Sequence, residues 1–140
     1  CENIVAIKEA SGDIAQVAEV ARLVPDDFAI YSGNDDSITP LLSLGGKGVI
    51  SVLANVCPQE THDLVAKFME GDVKGSCKIQ LDLKALIDAL FIEVNPVPVK
   101  TAMNLLGWEV GHLRLPLGEM NPKNLEVLKQ ELINAGLEVK

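Results

Sequence analysis

Lys8 is the residue of this 140-residue chain whose position most needs a chemical explanation. It ends the apolar run Ile4-Val5-Ala6-Ile7, where the local pattern calls for another hydrophobic side chain, and an ammonium placed there must reach water, pair with an acid or lose its proton to desolvation. In the third state it is an amine nucleophile able to form a Schiff base with a carbonyl substrate. Glu9 is a poor partner for an ion pair, because alternation along a strand turns it to the opposite face. The residues alone leave both readings open, a structural lysine and a nucleophile.

Gly33-Asn34-Asp35-Asp36 is the second candidate: glycine permits close backbone approach to a ligand, and the acids could serve a pocket, cap a helix or, more weakly, hold a hard cation. The remaining reactive types are poorly placed. His62 falls on a helical stretch and His112 in a Gly-flanked loop with Trp108 and Arg114, and no Ser or Cys nucleophile is set to use either histidine. That late loop, Gly107 to Gly118, reads as packed structure. Cys1, Cys57 and Cys77 are widely spaced and form no CxxC pair, which argues against a disulfide framework or a zinc site.

Positioning these residues requires strands that end at them. Ile4 to Lys8, Phe28 to Tyr31 and Val49 to Leu53 read as three strands. Helices are expected from about Ile14 to Val24 with Asp13 as N-cap, from Thr39 to Leu44, and from Pro58 to Glu70. Three successive strand–loop–helix units imply a parallel sheet and an α/β fold, with chemistry at the carboxyl ends of the strands. Val73 to Phe91, Val97 to Leu106 and Pro122 to Ala135 then read as a helical tail, so residues 1–71 hold the βα units and 72–140 a helical extension. Neither GxGxxG nor GxxxxGK[ST] is present, which argues against a nucleotide-binding sheet.

Composition narrows the partners. With Lys+Arg 12 against Asp+Glu 20 and a net charge of −8, the chain lacks the basic footprint of a nucleic-acid or anionic-membrane binder. Its 48% hydrophobic residues suit a packed core, yet no run is long enough to span a bilayer and no signal peptide opens the sequence, so a cytoplasmic location is expected. The chain begins with Cys1 directly before a strand, and it reads as the later part of a longer protein.

Four segments, Ile4-Val5-Ala6-Ile7-Lys8-Glu9-Ala10-Ser11-Gly12-Asp13, Tyr31-Ser32-Gly33-Asn34-Asp35-Asp36, Gly45-Gly46-Lys47-Gly48-Val49-Ile50-Ser51-Val52 and Asn95-Pro96-Val97-Pro98-Val99-Lys100, together with Leu113-Arg114-Leu115-Pro116-Leu117, resemble the dihydrodipicolinate synthases. The resemblance covers essentially the whole chain. It implies the C-terminal part of a (β/α)8 barrel, strands six to eight, followed by a helical extension. It also implies that Lys8 forms an imine with pyruvate, that Gly33, Asn34 and Asp35 line the pocket, and that the main-chain carbonyl of Ile50 faces the substrate; Asn34 stands where some members have aspartate. The implied reaction condenses pyruvate with aspartate 4-semialdehyde, in lysine biosynthesis through diaminopimelate, with no metal or organic cofactor. The family's proton-relay tyrosine, its carboxylate-binding arginine and its pyruvate-holding threonines match nothing here, so the resemblance implies an N-terminal half as partner, an inactive chain without it, and a homo-oligomer. Another pyruvate-dependent aldolase, of the N-acetylneuraminate lyase or 2-keto-3-deoxy sugar acid aldolase type, and a non-catalytic fragment are the competing readings.

Overall fold

The structure, a computed structural model, describes residues 1–140. Three short parallel strands, β1 (Ala6–Glu9), β2 (Ala29–Ser32) and β3 (Gly48–Val49), form one sheet in the order β1-β2-β3. Between and after them run α1 (Ile14–Leu23), α2 (Ile38–Ser43) and α3 (Pro58–Met69); the extension consists of α4 (Val73–Asp82), α5 (Lys84–Leu90), α6 (Val97–Leu105) and α7 (Pro122–Asn134). No helix is long and apolar enough to cross a membrane.

Local chemistry sets most of these boundaries. Asp13 caps α1 by accepting from the Ala15 N–H at 2.8 Å, and Asp72 caps α4 by accepting from the Gly75 N–H at 2.9 Å. Pro58 and Pro122 stand in the first turns of α3 and α7, where a missing N–H costs nothing. Val17, Val20, Ala21 and Val24 fall at helical spacing and pack on Ile30 of β2 and Leu41 of α2. The largest apolar cluster joins Leu53, Val56 and Cys57 to Leu86, Leu90, Val97, Ala102, Leu128 and Leu132, so one core is shared by residues on both sides of the expected division after residue 71.

The structure corrects the expected elements at several points. β1 begins at Ala6, two residues late, and Ile4 and Val5 are exposed although the Val5 carbonyl still accepts from the Ala29 N–H. β3 stops at Val49, where a strand to Leu53 was expected. The cause is remote: a carboxylate oxygen of Asp35 accepts from the Val52 and Leu53 N–H groups, both at 2.9 Å, and draws the chain out of the sheet into a 3₁₀ turn at Leu53–Asn55. The helix expected from Val73 to Phe91 breaks at Leu83, which closes α4 and opens α5. The bend lets α4 bury Ser76 and Gln80 while α5 delivers Leu86, Ile87, Ala89 and Leu90 to the main core. In the late loop Leu113 and Leu117 pack against that core, whereas Trp108 and Leu115 are exposed, so it is packed only in part.

Candidate active site

Register decides which side chains meet. Lys8 of β1 is level with Tyr31 of β2, and Tyr31 with Gly48 of β3, so the three share one row and one face of the sheet. The adjacent rows, Ile7 with Ile30 and Glu9 with Ser32 and Val49, face the helices. Ile30 and Val49 accordingly pack against helix residues, and Glu9 is buried with its carboxylate accepting from the Ser11 N–H at 3.2 Å and from Gln16 Nε2 of α1 at 2.9 Å. Glu9 is thus engaged on the opposite side from Lys8, as alternation requires. Lys8 lies on the exposed face and makes no salt bridge.

Gly33 follows β2 and packs directly on this lysine. Its N–H donates to the Glu9 carbonyl at 2.6 Å, and a Cβ added to it would lie 2.5 Å from Ala10 Cβ and 2.9 Å from Lys8 Cε. Its φ is not positive, so the demand for glycine is steric: a side chain would occupy the space through which the lysine runs. The next residues are folded back by Ser32, whose buried hydroxyl donates to the Asn34 carbonyl at 2.8 Å and accepts from the Asn34 N–H. Asn34 reaches towards the turn after β1, with its Nδ2 3.5 Å from where a Cβ on Gly12 would stand. Ile50 continues the path of β3 by donating its N–H to the Ser32 carbonyl at 2.8 Å, and its side chain is half exposed.

Asp35 is built in differently. It is 1% exposed, one oxygen taken by Val52 and Leu53 and the other, Oδ1, buried with no hydrogen-bond partner. A cleft of about 200 Å³ lies beside it, lined by Asn34, Asp36, Ile87, Asp88 and Phe91, which brings α5 of the extension up to the loop. Nowhere do three His, Cys, Asp or Glu side chains converge as a metal-binding group. Tyr31 was not singled out from sequence; its place in the same row as Lys8, one strand across, depends on register, which the order of residues does not reveal.

The other reactive groups stand apart. His62 pairs with its exposed neighbour Asp63, whose carboxyl is held below the ordinary range by hydrogen bonds from His62 and Gln59. The His112 carbonyl accepts from Lys100 Nζ at 2.8 Å. Burial, with a smaller contribution from Glu60, pushes the Cys57 thiol up to about 11, so it is a core residue and not a nucleophile. A cavity of about 460 Å³ between α6 and the late loop contains none of the expected site residues.

Comparison with known proteins bears on the family and the fold. The model of the dihydrodipicolinate synthetase family matches residues 1–135. The 4-hydroxy-tetrahydrodipicolinate synthase of Acetivibrio thermocellus is 62% identical over 136 residues, covering 97% of this chain and 46% of the relative. The crystal structure of dihydrodipicolinate synthase from Aquifex aeolicus superposes with a TM-score of 0.96 at 41% identity over 100% of this chain and 48% of that one. A chloride-inhibited dihydrodipicolinate synthase from Acinetobacter baumannii, solved in complex with pyruvate, gives a TM-score of 0.92 at 33% identity, covering 97% of this chain and 47% of its own. The chain thus spans about half the length of the relatives it matches. Over that part it shares their α/β fold, the last three βα units of a (β/α)8 barrel followed by helices. A family match over nearly every residue, together with a lysine carried on the open face of the sheet and a glycine folded against it, leads to one assignment: the chain belongs to the dihydrodipicolinate synthetase family.

Proposed function

We propose that this chain contributes the Schiff-base lysine and part of the pyruvate pocket of a 4-hydroxy-tetrahydrodipicolinate synthase. The observation that carries the proposal is the placement of Lys8 at the carboxyl end of β1, on the open face, with Gly33 against its Cε. The pyruvate complex of the Acinetobacter baumannii relative supports the choice of substrate. Lys8, as the free amine, attacks the ketone carbon of pyruvate; the adduct takes up one proton from solvent and loses water, leaving a protonated imine. That cation draws electrons from the methyl group, which loses a proton to give an enamine. The enamine carbon then adds to the aldehyde of aspartate 4-semialdehyde, whose amine displaces Lys8 from the imine carbon as the ring closes. The proton lost from the methyl group is matched by the one the new alkoxide takes up to become a hydroxyl, so the sequence of steps needs no metal and no organic cofactor.

Gly33 and Ile50 shape the pocket through their backbones, and Asn34 faces it beside the Gly12 turn. Residues 1–71 supply the chemistry and 72–140 support it. Closing the barrel takes an N-terminal half, in a cytoplasmic homo-oligomer that feeds lysine synthesis through diaminopimelate. The open edges of β1 and β3 fit this reading, since unpaired strand edges call for neighbours. Borohydride reduction of the full-length enzyme with pyruvate, followed by peptide mapping, should place the adduct on Lys8. An adduct elsewhere refutes the assignment. Turnover of sialic acid or of a 2-keto-3-deoxy sugar acid, with none of aspartate semialdehyde, would move the enzyme to another aldolase class.

A further inference from the structure

Gln80 on α4 is 6% exposed, and its amide is used at both ends. Nε2 donates to the Asp35 main-chain carbonyl at 2.7 Å, and Oε1 accepts from the Thr39 N–H at 3.2 Å. An apolar side chain would fill the contact between α4 and α2 without the cost of burying an amide, so the amide at this place serves to hold the chain from Asp35 to Thr39. Asp35 is therefore gripped twice. Its carbonyl is fixed by Gln80, and its carboxylate fixes Val52 and Leu53. Gly33 lies two residues before the first of these anchors and Ile50 two residues before the second.

We propose that Gln80 is a positioning residue for the pyruvate pocket: acting through Asp35, it sets the backbone of Gly33 relative to that of Ile50, and so places part of the site under the control of the helical extension. The inference rests on the reading that Gly33 and Ile50 line that pocket. Asp35 then bears on substrate indirectly, as the link between two loops: its Oδ2 is committed to the Val52 and Leu53 N–H groups, and its Oδ1 is buried without a partner.

The test uses the full-length enzyme carrying Gln80→Leu, which removes both hydrogen bonds, and Gln80→Glu, which keeps the acceptor for Thr39 but sets a carboxylate oxygen against the Asp35 carbonyl. Ser76→Ala is the control. Ser76 is also buried on α4 and its hydroxyl lies 3.3 Å from that of Thr39, yet its side chain makes no hydrogen bond to Asp35. Both Gln80 variants should raise the KM for pyruvate by about tenfold while kcat stays within about twofold, the signature of lost binding and not of lost folded protein. Ser76→Ala should lower the melting temperature with pyruvate KM unchanged. Gln80 variants that lose stability and keep the parent KM overturn the proposal, as does a Ser76→Ala variant with the same rise in KM. Adduct mapping in the parent enzyme separates the two levels: an adduct away from Lys8 refutes the pyruvate site itself, whereas an adduct on Lys8 with a pyruvate KM indifferent to Gln80 refutes only the positioning role.

Discussion

Gly33→Ala is a one-carbon change whose consequences can be worked from three distances. The new Cβ would stand 2.5 Å from Ala10 Cβ, 2.9 Å from Lys8 Cε and 3.2 Å from the Glu9 carbonyl oxygen. Carbon atoms in good contact sit about 3.5–4.0 Å apart, so the first contact overlaps by roughly 1.0–1.5 Å and the second by at least about 0.6 Å. Lys8 can swing away because Cε is far out on a flexible stem; Ala10 Cβ is fixed to the main chain and cannot. The loop must therefore lift from β1, which strains the 2.6 Å bond from the Gly33 N–H to the Glu9 carbonyl. Overpacking of this kind costs about 1–3 kcal/mol, and weakening the hydrogen bond adds about 1 kcal/mol, giving about 2–4 kcal/mol in all. Denaturant unfolding of the full-length enzyme measures that loss, and the rate of borohydride trapping with pyruvate reports the displaced lysine. Adding Ala10→Gly removes the worst overlap, so it should recover much of the stability while trapping stays slow, because the Lys8 contact persists. Parent-like stability and trapping in Gly33→Ala would refute the steric argument; recovery of trapping together with stability in the double variant would show that the contact with Lys8 is irrelevant.

Lys8→Arg in the full-length enzyme should abolish imine trapping by borohydride with pyruvate, since a guanidinium stays protonated at working pH. Ile50→Val should be mild in steady-state kinetics, because the carbonyl and the N–H bond to Ser32 remain. Leu132→Ala empties a fully buried position in the largest cluster and should cost about 2–5 kcal/mol in urea unfolding. The Gly75 N–H, with help from Lys67, holds the Asp72 carboxyl below its ordinary range, so its contribution to stability is present above the ordinary aspartate range and is lost as pH falls through the lower folded value. The stability gap between the parent and Asp72→Ala should accordingly close in acid, as thermal unfolding across pH 7 to 2 would reveal.

What was legible in the sequence followed from local rules. The order of βα units, the Asp13 cap and the helices opened by Pro58, Val97 and Pro122 depend on neighbours within a turn or two, and there pattern and structure agree. The end of β3 was not legible. Val52 and Leu53 continue an apolar run and look like strand, but the group that claims their N–H bonds is Asp35, 17 and 18 residues away. Gln80 was equally hidden, because a glutamine on an amphipathic helix normally marks the solvent face, and nothing nearby signals that α2 will cover it. The break at Leu83 has neither glycine nor proline to announce it. At Gly33 the need for glycine was visible and its cause was not: close approach to Ala10 and Lys8, and not an unusual φ, requires it.

The register of the sheet joins the candidate chemistry to stability. A slip of one residue in β1 would turn Lys8 towards the helix layer, where Val17, Ile30 and Leu41 are packed, and swing Glu9 to the open face. The apolar side chains resist that exchange only weakly, since Ile7 is itself partly exposed at the edge of the sheet. Polar groups resist it more specifically. Glu9 is buried with its carboxylate fixed by Gln16 and the Ser11 N–H, its carbonyl takes the Gly33 N–H, and Ser32 in the same row closes its own loop through Asn34. The Ser11 and Ser32 bonds are local and would survive a slip, but the bond from Gln16 to the Glu9 carboxylate and that from the Gly33 N–H to the Glu9 carbonyl hold in one register alone, and breaking them leaves polar groups without partners at about 1–3 kcal/mol apiece. The acid beside the lysine therefore serves it without touching it: by being satisfied on the helix face, Glu9 keeps Lys8 on the other.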